Sequence, residues 1–247
     1  MNPQGKTALI TGGAHRVGKA ITMRLAKAGV NVAVNYYASE ADAIVTVREA
    51  QALGVDALAL HCDVSDHVAV QRMAEEIHQH FGGVDIIVNS ASYFGQTPFP
   101  SSDPDVHALW QRVTRISIDG PYFICNALVP TMQARGEGVI INIIDLMVWH
   151  PSRNFMAHAV GKGGLLALTQ SLAIELAPTI RVNAIAPGLI EPPPDHSEKK
   201  TEAAAKRNLL RRWSGGEAVA HAVHYLIEAD FVTGEVLTVD GGERLAN

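Results

Sequence analysis

Three residues could move protons together: Asp145, His158 and Lys162. His158 and Lys162 lie in "FMAHAVGKGGLLALTQSLAIEL", a long apolar pattern of helical period, and a spacing of four projects both side chains from one helix face. Asp145 follows the β-branched run "GVIINII" (138–144), which ends it at the carboxyl edge of a strand. Ligands bind along that edge in open α/β sheets. A carboxyl group, an imidazole and an ammonium converging there form a credible proton-delivery set. A lone histidine on a helix is otherwise a surface or satisfied core residue. The lysine spacing and the aspartate favour the functional reading.

A second constellation binds rather than reacts. "TALITGGAHRVGKAI" sets a glycine turn between a strand and a helix, with Gly12 at the tight turn and Gly18 where the helix must pack closely. The free N–H groups of such a helix start receive a pyrophosphate. The next strand ends "NVAVNYYAS", with Asn35, Tyr36, Tyr37 and Ser39 and no acid before Glu40. An NAD site usually has Asp or Glu there for the ribose 2′-hydroxyl. Its absence, with positive charge from Arg16 and help from His15, predicts NADP(H). A site that merely lacks its acid and accepts both cofactors is the alternative.

Positioning these groups needs a sheet. Seven strand-like runs, 7–11, 30–35, 57–64, 84–91, 138–144, 180–187 and 235–242, alternate with helical patterns. Near-continuous β-branched strands indicate burial on both faces. The expected fold is one α/β domain over residues 1–247, a Rossmann-like, doubly wound, seven-stranded parallel sheet with helices on both faces. Gly29 and Gly82 stand where left-handed helix caps belong. The stretch 189–216, opened by three prolines, breaks the rhythm and is expected to be a mobile cover over the substrate, or else a solvated loop and helix.

The chain has 247 residues, 47% apolar and 18% charged, which suits one large domain. A net charge of −5 without a basic block argues against nucleic acid. No apolar run reaches the roughly 18–20 residues that span a bilayer. Cys62 and Cys125 lack metal-ligand spacing, and the amino terminus lacks a leader pattern, so a reducing cytoplasm is expected. His221 and His224 have no third ligand nearby, and no metal is expected.

From "TGGAHRVG" through "CDV", "NSAS", "IIN", the lysine helix and "APG" to "VTGEVLTVDGG", the chain resembles the short-chain dehydrogenase/reductase family, and within it the pteridine reductases. Arg16 in the glycine turn, Phe94 in "SASYF" and Asp145 in "IIDLM" carry the closer likeness. The resemblance implies that Gly12, His15, Arg16 and Val17 line the pyrophosphate and ribose. Asp63 and Val64 would meet the adenine, and Asn89, Ser90 and Ala91 would follow the cofactor. Lys162 would hold the nicotinamide ribose, with Pro187, Gly188 and Leu189 at the carboxamide. Phe94 would cover a flat pterin, with Ser92 and Arg16 at its polar edge. His158 stands where the family has its catalytic tyrosine, and Ser117 where an asparagine commonly completes a proton relay.

The resulting expectation is an NADPH-dependent reductase of a pteridine C=N bond, acting as a homotetramer on a small pterin-like molecule. A reductase of another carbonyl or imine, or an NADP-binding protein with little turnover, are the alternatives.

Overall fold

The computed structural model describes residues 1–193 and 197–246. Its elements run β1 (Thr7–Ile10), α1 (Arg16–Lys27), β2 (Asn31–Tyr36), α2 (Glu40–Gln51), β3 (Ala57–His61), α3 (His67–Phe81), β4 (Ile86–Asn89), α4 (Pro104–Ser117), α5 (Asp119–Arg135), β5 (Gly138–Ile143), α6 (Met156–Leu176), β6 (Ile180–Pro187), α7 (Glu198–Ala205), α8 (Gly216–Glu228) and β7 (Val236–Val239). One seven-stranded sheet, all of its pairs parallel, has the order β3-β2-β1-β4-β5-β6-β7. The order reverses between β1 and β4, which opens a crevice at their carboxyl ends. This is the Rossmann-like architecture expected.

The strands are buried on both faces and sort their side chains by the two-residue period. Ala8, Ile10, Val32, Val34, Ile86 and Val88 pack into one core with Ile21, Leu25, Val219 and Val223. Leu9, Ala33, Ile87 and Ile140 face the opposite core with Ile77, Ile124 and Leu128. Gly29 and Gly82 have φ of 81° and 70°, the left-handed conformation expected of helix ends.

Most of the runs expected as strands are longer than the strands themselves. Residues Cys62–Val64, Ser90–Ala91 and Ile144 lie beyond the last rungs, so the chain leaves the ladder there. Those departures form the ligand edge. At α3 and α4 side chains set the helix starts: Asp66 accepts from the N–H groups of Val68 and Ala69, and Asp103 accepts from that of Asp105. Helix α1 starts without such a cap. Its cap residue His15 makes no side-chain capping bond and its first turn holds no acid, which leaves those N–H groups available to an anion. Among the described residues no helix is long and apolar enough to cross a membrane.

Candidate functional site

The glycine turn is shaped by crowding. A Cβ on Gly18 would stand 2.0 Å from the Gly12 carbonyl oxygen, and one on Gly12, whose φ is 62°, would stand 3.1 Å from the Ala91 Cα. Asn35 fixes this turn from the end of β2. Its Oδ1 accepts from the Gly12 N–H at 3.3 Å, while its Nδ2 donates to the carbonyls of Leu60 (3.3 Å) and Cys62 (3.0 Å). The Thr11 hydroxyl oxygen accepts from the N–H groups of Ser90 and Ala91, tying β1 to the loop after β4.

A cavity of about 250 Å³ opens beside this turn. Gly12, His15, Asn35, Tyr36, Tyr37, Asp63, Val64, Ala91 and Ser92 all line it, so residues from four separate stretches converge. The Asp63 carboxylate accepts from the Ser65 N–H and hydroxyl. Glu40 lies beside Tyr36, whose phenol is raised in pKa by burial and then by that carboxylate. Arg112, on α4, lines the same cavity and was not foreseen. The cavity lies between an uncapped helix start and a space that glycines keep open.

Other expected residues are held by contacts within the protein. Arg16 adopts φ of 49°, and its guanidinium turns to Glu191, with Nη2 donating to the Glu191 carbonyl at 3.1 Å and Nε 3.5 Å from the carboxylate. The positive charge expected from Arg16 at the 2′ position is therefore already paired, an outcome that depends on a residue far along the chain. Ser92 lines the cavity beside the glycine turn. The Asn89 side chain is buried and donates to Asn142 Oδ1 at 2.8 Å. Val17 is half-buried against the core. Pro187 ends β6, and Gly188 passes so close to β7 that a Cβ there would meet the Asp240 Cα at 2.8 Å. The Leu189 and Ile190 carbonyls accept from the N–H groups of Ser214 and Gly215, closing the base of the 189–216 stretch, which carries α7. Pro194, Asp195 and His196, in the same stretch, lie outside the described residues.

The reactive groups do meet. Helix α6 buries a stripe of Ala157, His158, Gly161, Lys162 and Leu165. Gly161 lets α4 approach closely, since a Cβ there would stand 2.8 Å from that of Ser117. His158 Nε2 lies 3.5 Å from Asp145 Oδ2, and Asp145 Oδ1 accepts from the Met147 N–H. Neither imidazole nitrogen has a hydrogen-bond partner among the described residues, and Ser117 Oγ and Asn89 Oδ1 are likewise unpaired. Lys162 Nζ donates to the Ile143 carbonyl at 2.7 Å. Burial lowers its pKa to about 8, against a smaller opposing pull from Asp145. The Phe94 ring stacks on Phe155 at 4.6 Å and meets His158 edge to face at 4.9 Å. Phe94 is otherwise half exposed, an aromatic surface beside the proton-bearing groups.

Residues 12–243 match the family model described as Enoyl-(Acyl carrier protein) reductase. The chain is 36% identical over 250 residues to 3beta-hydroxysteroid dehydrogenase 1 of Eggerthella lenta, covering 98% of this chain and 95% of that one. It is 34% identical over 247 residues to human dehydrogenase/reductase SDR family member 4, covering 96% and 87%. A crystal structure of NAD+-bound xylitol dehydrogenase superposes with a TM-score of 0.89 at 26% identity, over 98% of this chain and all of the other. The chain belongs to the short-chain dehydrogenase/reductase family, oxidoreductases that use nicotinamide cofactors.

Proposed function

We propose that the protein is an NADPH-dependent reductase of a pteridine C=N bond, of the dihydropterin or dihydrofolate kind. The observation that carries this reading is the buried imidazole of His158, unpaired within the described residues, 3.5 Å from the Asp145 carboxylate and edge-on to Phe94.

When bound, the nicotinamide supplies the hydride. Lys162 would hold its ribose, and Pro187, Gly188 and Leu189 would lie along its carboxamide side. Phe94 covers a flat conjugated ring. The Asp145–His158 pair then carries the proton, directly or through one water.

The histidine bears on the choice of substrate. An imidazole reaches on the order of 2 Å less far than the phenol it replaces, enough to lose a direct hydrogen bond. A positioned general acid is worth about 10²–10⁴ in rate, and a ketone oxygen must gain its proton. A C=N group can arrive already protonated, or take its proton from Asp145 or water, so it tolerates a short donor better.

The reading extends to a homotetramer, supported by the apolar residues Met156, Val160 and Ile174 exposed along α6, and to residues 189–216 as a mobile cover. NADPH oxidation in the presence of dihydrobiopterin, dihydromonapterin or dihydrofolate tests it. Turnover of at least one is expected, and background rates with all three would reject it. A second reading, a dehydrogenase or reductase of alcohols and ketones, is favoured by the names of the hydroxysteroid and xylitol dehydrogenases it resembles. It predicts ketone turnover without pterin turnover. A cofactor-binding protein with little turnover would bind NADPH and reduce neither.

A further inference from the structure

The adenosine end has a cation that neither the glycine turn nor β2 supplies. Arg112 and Ile116, one turn apart on α4, close the cavity opposite the end of β2. The Arg112 guanidinium carbon lies 4.4 Å from the Tyr93 ring centre and 5.9 Å from that of Tyr37. Tyr37 in turn stacks on His61. Two aromatic rings therefore hold the charged head over the cavity while leaving its N–H fork unspent. Among the described residues Arg112 makes no ion pair or hydrogen bond.

Tyr37 directly follows the last residue of β2, where the 2′ position of a bound adenosine ribose falls in this architecture. Of the nearby acids, Asp63 accepts from the Ser65 N–H and hydroxyl, and Glu40 lies beside the Tyr36 phenol. Arg16 is paired with Glu191. The cavity thus retains one unpaired guanidinium, with the planar fork that suits a phosphate.

We propose that Arg112 reads the cofactor's adenosine 2′-phosphate, supplying from α4 the cation that β2 lacks. This rests on the NADPH reading above. The probes are 2′,5′-ADP and 5′-AMP, titrated into the intact protein by calorimetry. Wild type should bind 2′,5′-ADP at least about tenfold more tightly than 5′-AMP. Arg112→Leu should weaken 2′,5′-ADP by about 10- to 100-fold, the range of a charge-assisted hydrogen bond, and change 5′-AMP by less than about threefold. Arg112→Lys should retain part of the preference, because its point charge lacks the fork. Thermal melts establish that each variant is folded. If wild type shows no preference for 2′,5′-ADP, the NADPH reading fails and this assignment with it. If wild type shows the preference and Arg112→Leu keeps it, the NADPH reading stands and the assignment of Arg112 is overturned. Equal weakening of both probes would also overturn it, making Arg112 a cap on the adenine instead.

Discussion

The two ends of the crevice treat their polar groups in opposite ways. At the adenosine end almost every framing group is bonded: Asn35 to Gly12, Leu60 and Cys62, Thr11 to Ser90 and Ala91, Asp63 to Ser65. At the reactive end His158 and Ser117 keep buried atoms without partners among the described residues, and a lysine is held in a site that disfavours its charge. An unsatisfied buried group costs about 1–3 kcal/mol. The first region is built for rigidity. The second keeps stability in reserve, to be recovered when a ligand or water completes its bonds.

That contrast predicts opposite signs for substitutions at the two ends. The largest effect is expected of Gly18→Ala, whose added carbon would overlap the Gly12 carbonyl. The turn must move, so cofactor binding should be lost and stability should drop by about 3 kcal/mol or more, read by NADPH titration and denaturant melts.

Lys162→Met should do the reverse to stability while abolishing turnover. The folded pKa of about 8 lies below the ordinary 10.5, so below pH 8 the lysine is charged in both folded and unfolded chains and the full burial penalty applies. Between about pH 8 and 10.5 the unfolded chain binds the extra proton, and wild-type stability rises with pH by on the order of 3 kcal/mol. The methionine variant should therefore be more stable than wild type near pH 7, with the gain shrinking toward pH 10.5. Destabilisation at pH 7 would break the comparison. In wild type, cofactor affinity should also decline above pH 8 as the ammonium is lost.

Restoring a phenol by His158→Tyr sharpens the comparison on the chemical side. Pterin turnover should rise by about tenfold or more if the histidine only shortens the reach of the donor. A fall in native activity would mean that the imidazole serves another reaction. The smallest effect belongs to Thr46→Val, which removes one buried bond to the Ala14 carbonyl behind the turn and should cost about 1 kcal/mol in a melt.

Local physics made much of this legible in the sequence. β-branched runs marked all seven strands, glycines marked the ends of α1 and α3, and a four-residue helical step placed His158 and Lys162 on one face near the end of β5. What escaped depended on how distant elements pack. Arg112 is exposed on α4, and nothing in "LWQRVTRI" reveals that this helix leans toward Tyr37. The fate of Arg16 was equally hidden, because charge counting near the turn could not reveal a partner beyond β6. Strand ends were overestimated for the same reason, since hydrophobicity continues past the point where the ladder stops.

The Arg16–Glu191 pair also bears on the order in which the molecule is made. Its members are 175 residues apart in the chain. At roughly 5–20 residues per second, a ribosome needs about 10–35 seconds to travel between them. Throughout that interval the emerging glycine turn has no counter-charge for its arginine, and the guanidinium is open to any passing anion. The arginine that opens α1 thus waits for a partner that emerges only after β6 has been made.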